Sequence, residues 1–281
     1  MPSVENLMHA YQQACEIELL AFKPGNVSIY SPAHDMTVAD FRLSAQVSAP
    51  PLCNPAYSLG EKIYYAVAAT RSAVSCNTNL GIILLAAPLI QAKWQQQSGQ
   101  SLREALAEVL KNTTRTDAEW AFKAITLAAP GGLGESEQQD VKTTPAVNLY
   151  EAMEIASSKD LIAKQYVNNF KEIFDFAVLQ YNRAFVWSGD CSLSALTVYA
   201  ELLARFPDSH IERKYGTQYS EWIAAEMSFL GKELKSSANL EALMPLLYKM
   251  DTAFKSKKIN PGTTADLTVT TLLAVFLEQL I

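Results

Sequence analysis

Residues 101–129 read SLREALAEVLKNTTRTDAEWAFKAITLAA, and this stretch decides the fold class. It is rich in Ala, Leu, Glu and Lys, which lose little on entering a helix. Alternating β-branched runs, the mark of strands, are nearly absent from it and from the rest of the chain. Two capping boxes punctuate it, Ser101/Glu104 and Thr116/Glu119, where a hydroxyl and an acid three positions later satisfy the backbone at a helix start. The same signal recurs at Thr37/Asp40, Ser58/Glu61 and Thr263/Asp266. Residues 148–187 share the helix-favouring composition. At the amino terminus Val4, Leu7, Met8, Tyr11, Ala14, Cys15 and the pair Glu18-Leu19 follow three-and-four spacing, which predicts a helix ending before Lys23-Pro24-Gly25. Further helices are expected at about 192–206, 217–235, 239–258 and 263–281. No low-complexity linker and no repeat of fixed period divides the chain, so residues 1–281 are read as one all-α, single-domain multi-helix bundle.

Composition limits the function. A chain of 281 residues that is 49% hydrophobic and 19% charged can bury a substantial core. Its 23 basic and 29 acidic residues leave a net charge of −6, so no overall positive field exists for a nucleic acid backbone. Cys15, Cys53, Cys76 and Cys191 are widely spaced and read as reduced cytoplasmic thiols, and three histidines leave little material for a zinc site. The amino terminus lacks the basic start and apolar core of a signal peptide. The apolar run from Leu80 to Ile90 contains Pro88 and falls short of the roughly 20 residues that span a bilayer. Neither nucleic acid nor membrane is expected as a partner.

The interruptions between helices carry the chemistry. They are FKPGNVSIYSPAHDM at 22–36, SAPPLCNPAYS at 48–58, SCNTN at 75–79, APGGLGESEQQDV at 129–141 and INPGTTAD at 259–266. The loops at 22–36, 75–79, 129–141 and 259–266 are expected to gather at one end of the bundle. His34 beside Asp35 is either a proton-transfer or metal-binding pair or a plain loop histidine. Gly131 and Gly132 could cradle phosphate through their N–H groups, or form an ordinary turn. Paired carboxylates can hold Mg²⁺ while leaving positions open for phosphate oxygens. Asp35 and Asp140 have no capping partner to explain them, whereas Asp40, Glu61 and Asp266 each complete a box. Lys23 and Arg71 are basic residues near the loops that could neutralise phosphate. Asn77, Thr78 and Asn79 stand where a buried helix begins. One amide suffices for a cap, and the set suits a ribose, a base edge or a phosphate.

The ordered motifs KPGNVS (Lys23 to Ser28), HDM (His34 to Met36) followed by an F…SA helix, NTNLG (Asn77 to Gly81) and NPGTTADL (Asn260 to Leu267) resemble the triphosphoribosyl-dephospho-CoA synthase family. The resemblance spans nearly the whole chain. It implies an all-α enzyme that joins the ribose of ATP to the ribose 2′-hydroxyl of dephospho-CoA, expelling adenine and retaining the triphosphate. Read with the residue inventory, Lys23 and a Mg²⁺ ion on Asp35 and Asp140 would bind the triphosphate, and Asn26 with the 77–79 set would orient sugar or base. Asp266 or Glu61 would be the base, and Ser28, His34, Arg71 and Asn260 would complete the substrate contacts. The chain departs from the family's pattern at Asn26, Ser28, Asn79 and Leu80, and the PGGLG…DV stretch resembles a divergent branch associated with tetrahydromethanopterin-linked metabolism. Transfer from ATP or phosphoribosyl pyrophosphate to a pterin-type acceptor is therefore a second reading, a non-catalytic nucleotide-binding subunit a third, and a helical phosphohydrolase a fourth. A homodimer is compatible with each.

Overall fold

The computed structural model of the protein describes residues 2–32, 36–129, 145–237 and 239–280. Fourteen α-helices form among the described residues. They are α1 (Val4–Leu20), α2 (Val38–Leu52), α3 (Leu59–Ala73), α4 (Leu80–Gln95), α5 (Leu102–Lys111), α6 (Arg115–Ala128) and α7 (Leu149–Ala156). Then come α8 (Leu161–Val167), α9 (Val178–Ser188), α10 (Cys191–Arg205), α11 (Ser209–Tyr215), α12 (Ser220–Ser236), α13 (Leu240–Ser256) and α14 (Gly262–Gln279). A π-helical turn, Ile173–Ala177, leads into α9. Extended pairing among the described residues is limited to one antiparallel bridge, Ser28 to Ser31. The all-α expectation holds, and none of the described helices is long and apolar enough to cross a membrane.

The chain divides into two compact units. The first comprises Met1–Cys15, Ala39–Lys171 and Leu273–Ile281, the second Glu16–Val38 and Glu172–Leu272. In the first, α3 packs on α6 and α4 on α5, with α7 against α8. Helix α4 is apolar on all sides and correspondingly buried, with Ile83, Leu85, Ala87, Leu89 and Ile90 fully enclosed. Pro88 inside it has no N–H, which orphans the carbonyl of Leu84. The hydroxyl of buried Tyr166 donates to that carbonyl at 2.5 Å, which closes the account. Where α3 meets α6 the backbones come so close that a Cβ on Gly60 would lie 2.6 Å from the Asp117 Cα, so only glycine fits.

The boxes at Ser58/Glu61 and Ser101/Glu104 form as expected. The third does not. Helix α6 opens two residues earlier than Thr116/Glu119 implies, with Thr114 and Asp117 as the box, and Glu119 instead faces Arg115 at 3.6 Å. The reason is tertiary: the other oxygen of Asp117 accepts the Gly60 N–H at 2.8 Å, which fixes α6 against the start of α3. Asn148 and Glu151 make a further box at α7 that the Ser/Thr pattern did not flag. Thr263 is likewise inside α14, not before it.

The second unit is organised on α10, which packs on α9 and α12, while α12 packs on α13. Leu196, Tyr199 and Ala200 of α10 are wholly buried.

Candidate functional site

In the second unit the Lys23–Ser31 loop is fixed from several sides. Lys23 is fully enclosed, and its ammonium donates to the carbonyls of Glu18 (2.6 Å), Val27 (2.8 Å) and Ala21 (3.3 Å) while pairing with the Glu18 carboxylate at 3.1 Å. Burial draws the lysine pKa down and the glutamate up, each opposed by the attraction of the other. Lys23 therefore ties the end of α1 to the loop from inside, and in this structure it offers no donor to a phosphate.

Gly25 follows with φ +84°, and a Cβ there would sit 2.8 Å from Phe254, so the turn demands glycine twice over. Its N–H donates to Asp251 Oδ1 at 2.9 Å. The other oxygen of Asp251 accepts the Ser31 hydroxyl at 2.5 Å and lies 3.1 Å from the Lys255 ammonium. That ammonium also donates to Ser31 Oγ and to the Pro32 carbonyl. From α10, the Tyr199 hydroxyl donates to the Pro24 carbonyl at 2.8 Å. Asn26 Nδ2 donates to Asn260 Oδ1 at 2.8 Å, which joins the KPGN and NPG motifs directly. Ser28 is buried, and its Oγ has no hydrogen-bond partner among the described residues.

Asp208 organises the other side of the NPG turn. One of its oxygens accepts the N–H groups of His210 (2.9 Å) and Ile211 (3.1 Å), capping α11. Its second oxygen accepts the N–H (2.7 Å) and hydroxyl (2.8 Å) of Thr264 in the first turn of α14. Burial pushes this carboxyl up, and the donors pull it back. The His210 ring lies against Gly262, where an added methyl would be 3.7 Å from its Cγ.

The first unit holds the 77–79 set, and its three members do different things. Asn79 is the N-cap by position but caps with no side-chain bond, and Asn77 instead satisfies the start of the helix, its Oδ1 accepting the Leu80 N–H at 3.2 Å. Thr78 and Asn79 point inward. Thr78 Oγ1 shares a hydrogen bond with Ser44 Oγ at 2.6 Å, and Asn79 Nδ2 donates to Ser48 Oγ at 3.3 Å. Ser48 also bonds the Tyr11 hydroxyl at 2.9 Å, a phenol pushed well up by burial. All five side chains other than Asn77 are buried, so they form a satisfied internal network.

Of the other expected site residues, Arg71 donates to the Ser75 carbonyl at 2.8 Å and closes the end of α3. The Glu61 carboxylate is engaged with the Ser58 N–H at 2.8 Å. Asp266 lies half-buried a turn into α14. His34, Asp35, Gly131, Gly132 and Asp140 fall outside the described residues. The structure brings Asn26 and Asn260 together, and adds Glu18, Asp208, Asp251, Tyr199 and His210, which the sequence reading did not connect. One signal was available for Glu18, since an acid on the apolar stripe of a helix calls for a buried counter-ion.

Among comparisons with known proteins, no curated protein matches the chain. A solved structure of a presumed triphosphoribosyl-dephospho-CoA synthase from Archaeoglobus fulgidus superposes with a TM-score of 0.63 at 24% identity, over 85% of this chain and 98% of that one. This likeness shows the fold. The CitG family model, described as ATP:dephospho-CoA triphosphoribosyl transferase, matches residues 4–281. With that model running the length of the chain and the KPGN and NPG motifs joined in the fold, the chain belongs to the ATP:dephospho-CoA triphosphoribosyl transferase family.

Proposed function

We propose that the protein transfers the triphosphoribosyl group of ATP to the ribose 2′-hydroxyl of 3′-dephospho-CoA and releases adenine. The observation that carries this is the family match over residues 4–281. Breaking the bond between the anomeric carbon and adenine N9 develops positive charge on the sugar and negative charge on the base. The acceptor oxygen takes the place of N9, and the hydroxyl proton ends on adenine. Such a reaction needs rigid groups that orient sugar and acceptor more than it needs a covalent nucleophile. The Asn26–Asn260 amide pair, held by Asp251, Tyr199 and Lys23, supplies that rigidity in the second unit.

We assign Mg²⁺ to the reaction as the partner of the ATP triphosphate. Among the described residues no group of three His, Cys, Asp or Glu side chains stands together to hold a resident ion. Asp35 and Asp140 remain the proposed metal contacts, and replacing either with Asn is expected to abolish turnover while leaving the melting temperature unchanged. A cytoplasmic setting accords with the four free cysteines.

The test is adenine release from ATP and Mg²⁺, followed chromatographically with and without dephospho-CoA. Release that depends on dephospho-CoA, together with the mass of the conjugate, is the expected result. Tight ATP binding without release would overturn it and turn the search to a pterin-type acceptor or a non-catalytic role.

A further inference from the structure

The carboxylates that surround the joined KPGN and NPG motifs in the second unit are all engaged. Asp208 accepts four donors, two at each oxygen. Asp251 serves Gly25, Ser31 and Lys255, and Glu18 is closed off with Lys23. Each is already committed to holding the fold in this arrangement. His210 differs. Its main-chain N–H is bound to Asp208, but its imidazole makes no hydrogen bond among the described residues. The ring is half-buried and rests on Gly262, with Cγ 3.7 Å and Nδ1 4.0 Å from the position a methyl on that glycine would take. Gly262 is the glycine of the NPG motif, whose asparagine holds Asn26. Among the described residues, the other histidine is His9, exposed on α1.

We propose that His210 is the proton-transfer group of the ribosyl transfer, taking the proton of the attacking hydroxyl and passing it to the departing base. The step rests on the function proposed above and balances without a further reactant. The O–H bond of the acceptor and the bond from the anomeric carbon to N9 break, and the bond from the anomeric carbon to oxygen forms. The electron pair of the broken glycosidic bond stays with adenine, which receives the proton from the imidazolium, so His210 ends the cycle neutral.

The surroundings suit this role. Burial pulls the imidazole below its ordinary pKa, Asp208 opposes that, and Arg213 and Lys214 of α11 add to it. The first turn of α14 contributes no acid. The downward shift favours the neutral, basic form of the ring near pH 7.

The experiment compares wild type with His210→Gln, and with His210→Ala given free imidazole, in the adenine-release assay across pH 5–8. The cap on α11 uses the main-chain N–H, so neither substitution removes it. His210→Gln is expected to lose about 100-fold or more in kcat with the KM for ATP held within about threefold, and to lose the acid limb of the kcat profile. Imidazole is expected to restore part of the His210→Ala rate, which a packing role would not permit. A variant that keeps kcat within about threefold and keeps the acid limb overturns the proposal. If wild type itself releases no adenine, the proposed function falls, and His210 is then judged by NMR. Its imidazole signal, assigned by its absence in His210→Gln, must shift on saturation with ATP and dephospho-CoA, and a signal that stays put overturns the inference.

Discussion

The loop at Lys23–Ser31 and the turn at Ser75–Asn79 are both polar interruptions between helices, yet they are held by opposite means. The first is built on charge: Glu18 with Lys23, and Asp251 with Lys255. The second is built on neutral groups, namely Tyr11, Ser44, Ser48, Thr78 and Asn79. Enclosed charges are far more costly to leave unpaired than enclosed hydroxyls, so the first arrangement tolerates fewer conformations and the second more substitutions. A loop that must present a fixed geometry to a ligand gains from the first kind of support.

The comparison can be broken most readily at Lys23. Lys23→Met keeps the apolar stem but leaves the Glu18 carboxyl and three carbonyls without a cation, and is expected to cost about 3–5 kcal/mol in urea unfolding. A loss under about 1 kcal/mol would erase the contrast between the two regions. Ser48→Ala is the matching cut in the neutral network. It removes the Ser48 partner of both the Tyr11 hydroxyl and the Asn79 amide, with an expected loss of about 1–3 kcal/mol by the same measurement. Thr78→Val should be milder, about 1 kcal/mol or less, because Ser44 Oγ keeps its bond to the Asp40 carbonyl. The smallest effect sharpens the contrast through pH. The folded His210 pKa lies below the unfolded value near 6.5, so the unfolded chain binds more protons as the pH falls from 7 toward 5, and stability declines there. His210→Gln should flatten that slope in thermal melts at pH 5, 6 and 7. Thr78→Val should leave it as in wild type, since no titrating group sits in its bond.

Much of the fold could be read from the sequence because its signals are local. Ser58 and Ser101 find their acids three residues away, and the Pro-Gly pairs at 24–25 and 261–262 mark helix boundaries, the first after α1 and the second at the start of α14. The site was less legible because its partners are distant. Asp251 lies 226 residues from Gly25 and Asp208 lies 56 from Thr264, so neither spacing is a pattern. Thr114 and Thr116 both begin acceptable boxes, and the choice between them is made by Gly60 from another helix. Lys23 reads as a phosphate ligand by position in a loop, and only the fold reveals that three carbonyls turn inward to meet it.

Asp208 links two stretches of chain through one carboxylate, and this has a consequence for the motions of the molecule. The amides of Ile211 and Thr264 are bound to its two oxygens, so any opening that withdraws the aspartate exposes both to solvent at once. In deuterium exchange these two protons belong to one opening event, and α11 and the entry to α14 breathe as a pair rather than as neighbours.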